Sequence, residues 1–262
     1  MRLDYGIQMS PFPITLSVGT LKKPKLKEIF DCSLNMSFEK FNQFEVFLKM
    51  TPKKYYTVIM KNDNGVTLWN SLSDEQKKRI NMYDIIIVDK RLQYVYTEIF
   101  NYFFVENVEF NDARFILSKD KLNDISDKNI VGIIDNKTFD MVLNIICQIC
   151  CISTADSTDI PKFKNKTAQQ IYEKIQNAPT PKEKNNADAK LTIPNIISSV
   201  VASHPSINYL NVWDLTIFQL LDIFNRMTIN SIYKISSARV AVWGDKEQKF
   251  DSAAWYKNYY DL

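Results

Sequence analysis

The stretch RLQYVYTEIFNYFFVENVEFNDARFIL, residues 91–117, contains a change of hydrophobic period that decides the fold class. Its first half has apolar residues three or four positions apart, the spacing of an amphipathic helix that runs to about Phe104. Its second half alternates apolar and polar residues on both sides of Asn111-Asp112, which predicts a small β-hairpin. A helix followed by a hairpin indicates a mainly α protein with a minor β component, in the α+β class.

Helix-start signals and apolar runs extend this interpretation to both sides of the stretch. In the first 152 residues we predict a helix from Ser37 to about Met50, a helix from Asp74 that begins at the capping box Ser73/Gln76, a strand or helix at Tyr83–Val88, a strand at Ile130–Ile134, and a helix capped by Asn136 that runs to about Ile152. Toward the carboxyl end we predict a helix at Ile193–Ala202, an amphipathic helix over 211–228 capped by Asn211, and a further helix from Ser231 to Trp243 that ends at Gly244.

Composition changes once along the chain, between about 153 and 190. This segment is poor in large apolar residues, and residues 162–190 hold seven Lys against three acidic residues, a local net charge of 7 − 3 = +4. We interpret 153–190 as a Lys- and Pro-rich linker with one short helix at 168–176. The chain then divides into an α+β domain at 1–152 and a helical module at 191–262.

Composition excludes several classes of function. The 262 residues include 5 Gly and 1 His, which leaves little material for phosphate-binding glycine loops or histidine clusters. The net charge of +3 is too balanced to indicate a nucleic-acid partner by itself. No apolar run reaches the length of a membrane span, and the amino-terminal residues do not resemble a secretory signal. We therefore expect a cytoplasmic protein with no enzymatic activity, no cofactor and no membrane partner.

The sharpest local motif is Cys147-x-x-Cys150-Cys151, because two such thiolates can hold a metal or form a redox dithiol. The motif lies within a continuous apolar helix pattern, and further ligands would have to come from Cys32 and a carboxylate. We therefore predict three buried, metal-free thiols. His204 precedes Pro205, and we interpret it as a helix-end residue rather than a general base.

A partner-binding surface is predicted on the carboxy-terminal module. The 211–228 helix has adjacent apolar pairs that one neighbouring helix cannot wholly cover, and four aromatic residues follow in the tail at 255–260. Terminal aromatic residues either pack back on their own domain or dock on another subunit, and both alternatives remain open. The predicted contact residues are Trp213, Phe218, Leu221, Phe224, Trp255, Tyr256 and Tyr259.

The same module resembles a known family. Its segments IISSVVA (196–202), NVWDLTIFQLLDIFNR (211–226), AVWGD (241–245) and FDSAAWY (250–256) resemble the carboxy-terminal module of uncharacterised tailed-bacteriophage proteins, similar to tail assembly chaperones. The resemblance covers roughly 193–258. It implies a non-enzymatic morphogenesis protein of the host cytoplasm that binds other virion proteins, such as the tape-measure protein, and that can oligomerise.

Two alternatives to this function stay open. Tail assembly chaperones are often smaller than this chain, so the first domain leaves room for a structural virion protein of the tail, connector or baseplate. A nucleic-acid-binding protein would use the Lys-rich segment 162–190, although we favour a solvated linker there.

Overall fold

The computed structural model describes residues 2–31, 36–60, 64–119, 129–152, 192–245 and 250–256. These residues form an α+β fold, as predicted, with many helices, a two-stranded sheet and a three-stranded sheet. The helices are α1 (Tyr5–Met9), α2 (Leu26–Phe30), α3 (Phe38–Leu48), α4 (Pro52–Lys54, continued by a π-helical turn at Tyr55–Ile59), α5 (Gly65–Ser71), α6 (Asp74–Arg79), α7 (Met82–Val88), α8 (Lys90–Phe103), α9 (Phe139–Ile149), α10 (Ile193–Ser203) and α11 (Ile217–Trp243), with a 3₁₀ turn at Val212–Asp214. The strands are β1 (Ile14–Leu16), β2 (Gly19–Leu21), β3 (Asn107–Asn111), β4 (Arg114–Ser118) and β5 (Ile130–Ile134).

The predicted hairpin is confirmed, and its turn lies one residue later than expected. Asn111 pairs with Arg114, so Asn111 belongs to β3 and the turn consists of Asp112 and Ala113. Both turn residues are left-handed, with φ of 47° and 59°, as a two-residue hairpin turn requires. The predicted strand β5 pairs antiparallel with β4 and completes the sheet in the order β3-β4-β5.

A cluster of aromatic rings holds α8 against this sheet and against α9. The Phe100 ring is fully buried and meets Phe115 edge-on, with ring centroids 4.8 Å apart. Phe100 also contacts Phe104, Tyr96 and Phe139, at centroid distances of 6.1, 6.2 and 6.1 Å. Edge-to-face pairs of this kind add to the stability that burial alone gives. The helix-spaced residues of the opening stretch therefore form the centre of the core.

Local capping signals predict several helix starts correctly. The Ser37 hydroxyl accepts a hydrogen bond from the Lys40 N–H, and Ser73 and Gln76 form the predicted capping box. Tyr83–Val88, for which strand and helix were both open, lies in the helix α7. The predicted cap at Asn136 is wrong, because the Asp135 carboxylate accepts the N–H groups of Lys137 and Thr138. This turn delays the helix, so that α9 begins after Thr138.

The two helices predicted over 211–243 are one helix, α11. Thr216, and not Asn211, is its cap: the Thr216 hydroxyl accepts the Gln219 N–H, and the Gln219 side chain accepts the Thr216 N–H. The sequence has no Gly or Pro between 217 and 243, so nothing in the backbone interrupts the 27 residues. The helix ends at Gly244 in a left-handed conformation (φ 73°), as predicted.

Elements near both ends of the chain share one hydrophobic core. Lys25 pairs with Thr216 in an antiparallel bridge, and the Leu26 N–H donates to the Leu215 carbonyl at 2.8 Å. The buried Leu26 and Ile217 belong to the same apolar cluster as Phe100. The predicted linker 153–190, with its short helix, lies outside the described residues, and the division into two domains stays a prediction.

Candidate partner-binding surface

Four of the predicted contact residues pack against the body of the protein. Phe218 is 2% exposed, and its ring meets that of Tyr5 at 5.9 Å. Trp213 packs edge-on against Phe30 at 5.7 Å, and its indole N–H donates to the Tyr209 carbonyl. Leu221 and Phe224 are half-buried against the core. In this structure these side chains contact the chain itself, and their role toward a partner stays a prediction.

The predicted aromatic tail is on the surface where the structure describes it. Trp255 is 49% exposed and Tyr256 is 61% exposed, and their rings meet edge-on at 5.1 Å. Tyr259 lies outside the described residues. Trp255 and Tyr256 therefore present two adjacent aromatic rings to solvent, the kind of anchor that protein interfaces use.

Polar contacts fix the first half of α11 to the amino-terminal segment. The Tyr5 hydroxyl donates to the Asp222 carboxylate at 2.9 Å and accepts from the Arg226 guanidinium at 3.3 Å. Desolvation by burial is the main reason that the pKa of Tyr5 is raised. Because Asp222 and Arg226 also pair within the helix, this network orients α11 up to about Met227.

The second half of α11, residues 228–243, carries a row of exposed apolar side chains. Ile232, Ile235, Val242 and Trp243 are 60%, 71%, 71% and 75% exposed. Polar or small residues fill the other positions of this side, which are Thr228, Ser231, Ala238 and Arg239, and all four are exposed. We call these eight residues the distal face.

The segment 250–256 packs on another side of the same half-helix. The Phe250 ring lies 5.5 Å from that of Tyr233, and the Phe250 N–H donates to the Asp245 carboxylate at 2.8 Å. Between segment and helix lies a cavity of about 370 Å³ lined mainly by apolar side chains, among them Ile229 and Val240. The segment thus packs on the Tyr233 side of α11, and Ile232 and Arg239 at the edge of the distal face also line the cavity.

The sequence prediction named residues in the first half of α11 and did not include the exposed apolar side chains of the second half. Ile235 and Val242 follow the same four–three spacing as Leu221 and Phe224, and Ile232 lies beside this row. A search for one uninterrupted helix over 217–243 would have revealed it. The sequence does not show at which residue of this row the side chains stop packing on the core and become exposed.

The cysteine motif provides no metal site in the part of the chain that is described. Cys147 and Cys150 are buried, as predicted, and desolvation raises the pKa of Cys147 to about 11 and raises that of Cys150 as well. The prediction of burial is wrong for Cys151, which is exposed and follows the end of α9 in a left-handed conformation (φ 55°). The described residues contain no group of three or more His, Cys, Asp or Glu placed to hold a metal.

Burial of the two thiols predicts low reactivity. In the folded protein at pH 8 we expect iodoacetamide to modify Cys147 and Cys150 at least about tenfold more slowly than after unfolding in urea, because a raised pKa removes the reactive thiolate. Peptide mass spectrometry measures each site separately. Equal rates at Cys150 in the folded and unfolded protein would show that α9 opens to solvent.

The other candidate residues have structural roles or lie outside the residues that the structure describes. His204 is the cap residue at the end of α10, as predicted, and its Nδ1 accepts the Ser206 N–H at 3.2 Å. The Lys-rich segment 162–190 and Cys32 lie outside the described residues. Within the described ranges, no helix is both long and apolar enough to cross a bilayer.

Comparison with known proteins gives a family match on the carboxy-terminal part of the chain. Residues 182–260 match the family model described as the YomV second domain, a phage-related family. The matched region contains the distal face and the aromatic pair Trp255 and Tyr256, and it suggests a phage protein. No curated protein and no solved structure matches the chain.

Proposed function

We propose that the chain is a non-enzymatic bacteriophage assembly protein that binds other virion proteins, in the manner of a tail assembly chaperone. The match to a phage-related domain over 182–260 supports the phage context. The resemblance of residues 193–258 to modules similar to tail assembly chaperones supports the assembly role. The tape-measure protein is the partner that this resemblance suggests, and the host cytoplasm is where binding would take place.

The observation that carries this proposal is the uncovered apolar surface of the carboxy-terminal part. Ile232, Ile235, Val242 and Trp243 follow one side of α11, and Trp255 and Tyr256 lie on the segment packed beside it. Large contiguous patches of exposed apolar side chains are rare on monomeric proteins, and where they occur they mark sites of protein–protein interaction. Aromatic anchors at such sites carry a large share of binding energy.

The candidate catalytic groups support a binding role over a catalytic one. The buried Cys147 and Cys150 thiols have raised pKa values and are poor nucleophiles. The ring of His204 accepts a backbone N–H at the end of a helix. The packing of these two thiols and the capping position of His204 support the binding role that we propose.

The proposal is tested in the phage or prophage that encodes the chain. Deleting the gene is expected to stop the formation of tailed particles, as counted by electron microscopy, and wild-type protein supplied in trans should restore them. Trp255→Ala should restore them poorly, because removing an interface anchor weakens binding by about thirtyfold.

The matched control is Tyr209→Ala. Tyr209 is also an exposed aromatic residue of the matched region, at 59%, but it lies before α11 and away from Trp255 in sequence. This variant should restore particles as well as the wild type does. Normal numbers of tailed particles from the deletion phage would contradict the proposal.

A further inference from the structure

The distal face continues the row of α11 that packs on the core. Ile217, Leu221 and Phe224 follow a four–three spacing and contact the apolar cluster. The same spacing continues through Thr228, Ser231, Ile235, Ala238 and Val242, all of which are exposed. The seam of a two-helix coiled coil has this period, and in this row the large apolar residues Ile235 and Val242 are separated by small ones. The half-helix therefore continues the pattern of a packed helix, while its row is exposed among the residues that the structure describes.

We infer that residues 228–243 pair, antiparallel, with the same residues of a second copy of the chain. The inference rests on the proposed function, because it takes the distal face to be a binding surface and assigns its first occupant. The segment is about 24 Å long at the rise of an α-helix, which gives two copies several layers of contact.

Side-chain size fits an antiparallel pair. When the midpoint lies between Ser236 and Ser237, Ile235 of one copy faces Ala238 of the second, and Val242 faces Ser231. Each layer then combines a large residue with a small one, the arrangement that lets facing helices interdigitate. The two-fold axis repeats both layers, as an isologous dimer requires.

Charge selects the antiparallel direction. The sequence has no acidic residue from Ile223 to Gly244, and the exposed half carries Lys234 and Arg239. These two positions flank the seam, and in a parallel pair Lys234 would lie beside Arg239 of the second copy, where like charges repel. In the antiparallel pair Arg239 lies beside Ile232 of the second copy, and its aliphatic stem can cover that side chain.

The available surface suits a reversible dimer. The exposed side chains of the distal face offer on the order of 600 Å² per copy, hence about 1,200 Å² in total, which exceeds the ~1,000 Å² expected of a specific interface. An interface at this lower end corresponds to a weak, concentration-dependent dimer. The segment 250–256 lies on the Tyr233 side of the helix and reaches one edge of the distal face, where Ile232 and Arg239 line the shared cavity. Ile235 and Val242 are outside that cavity and are each 71% exposed.

Sedimentation velocity of the full chain tests the inference. Over about 1 to 100 µM we expect the wild type to shift from monomer to dimer, and Ile235→Asp to stay monomeric because it places two carboxylates in the seam. Ser237→Asp adds the same charge on the side turned away from the seam and should dimerise like the wild type. Circular dichroism should show unchanged helix content and melting temperature for both variants.

Cross-linking tests the direction of the pair. In a Cys151→Ser background, a mixture of Ile235→Cys and Ala238→Cys chains should form a disulfide-linked heterodimer faster than either chain links to itself. Faster self-linking of Ile235→Cys would indicate a parallel pair and overturn the antiparallel assignment.

The outcomes separate this inference from the proposed function. A wild-type chain that stays monomeric throughout, or a dimer that Ile235→Asp leaves intact, overturns the inference whatever the phage experiment shows. A dimer that behaves as expected, together with normal tailed particles from the deletion phage, overturns the proposed function and leaves the dimer.

Discussion

Replacing Phe100 with alanine is expected to lower the free energy of unfolding by about 3–5 kcal/mol. The Phe100 ring is fully buried and contacts four other rings, those of Tyr96, Phe104, Phe115 and Phe139. Alanine leaves a cavity among rings on α8, β4 and α9, which cannot all move inward together. Urea unfolding followed by circular dichroism measures the loss.

Tyr94→Ala is the control for Phe100→Ala. Tyr94 is on the same helix, is 66% exposed and loses only a surface contact with Glu98. Its effect should stay within about 0.5 kcal/mol. A loss below about 1 kcal/mol for Phe100→Ala would show that α8 does not form the centre of the core.

The second large effect is expected for Phe218→Asp, which should unfold the chain or destabilise it by at least about 4 kcal/mol. Phe218 is 2% exposed, so the substitution removes an aromatic side chain and buries a carboxylate in its place. The contact with Tyr5 is lost as well, and with it part of the packing between α1 and α11. Thermal unfolding monitored by circular dichroism gives the result.

Ile235→Asp also introduces a carboxylate in place of an apolar side chain of α11, at a position where that side chain is 71% exposed. It should keep the melting temperature of the wild type while it abolishes the dimer. If Phe218→Asp instead remained folded and failed only in particle assembly, Phe218 would belong to the partner surface, as the sequence pattern predicted.

Local signals in the sequence predicted the features that depend on neighbouring residues. Ser37 and Ser73 cap their helices because the N–H groups they accept lie three residues away. The hairpin is recognisable because its two strands are joined by two residues. The short β1–β2 pair was not predicted, since strands of three residues leave almost no periodic pattern.

Features that depend on distant residues could not be predicted in this way. Asn211 and Thr216 are both acceptable caps, and the choice is made when Leu215 stays extended and accepts the Leu26 N–H. The apolar row of α11 has the same pattern at Leu221 and at Ile235, yet the core covers only the first. The position of the candidate surface therefore required the tertiary structure.

The bridge between Lys25 and Thr216 also has a consequence for synthesis. The two partners are 191 residues apart (216 − 25), so roughly 10–40 seconds of translation separate their release from the ribosome. During that interval Leu26 and its apolar neighbours have no α11 to pack against. Nascent chains should then be open to cellular chaperones and proteases until the last helix emerges. Slower translation of the intervening segment would lengthen that exposure.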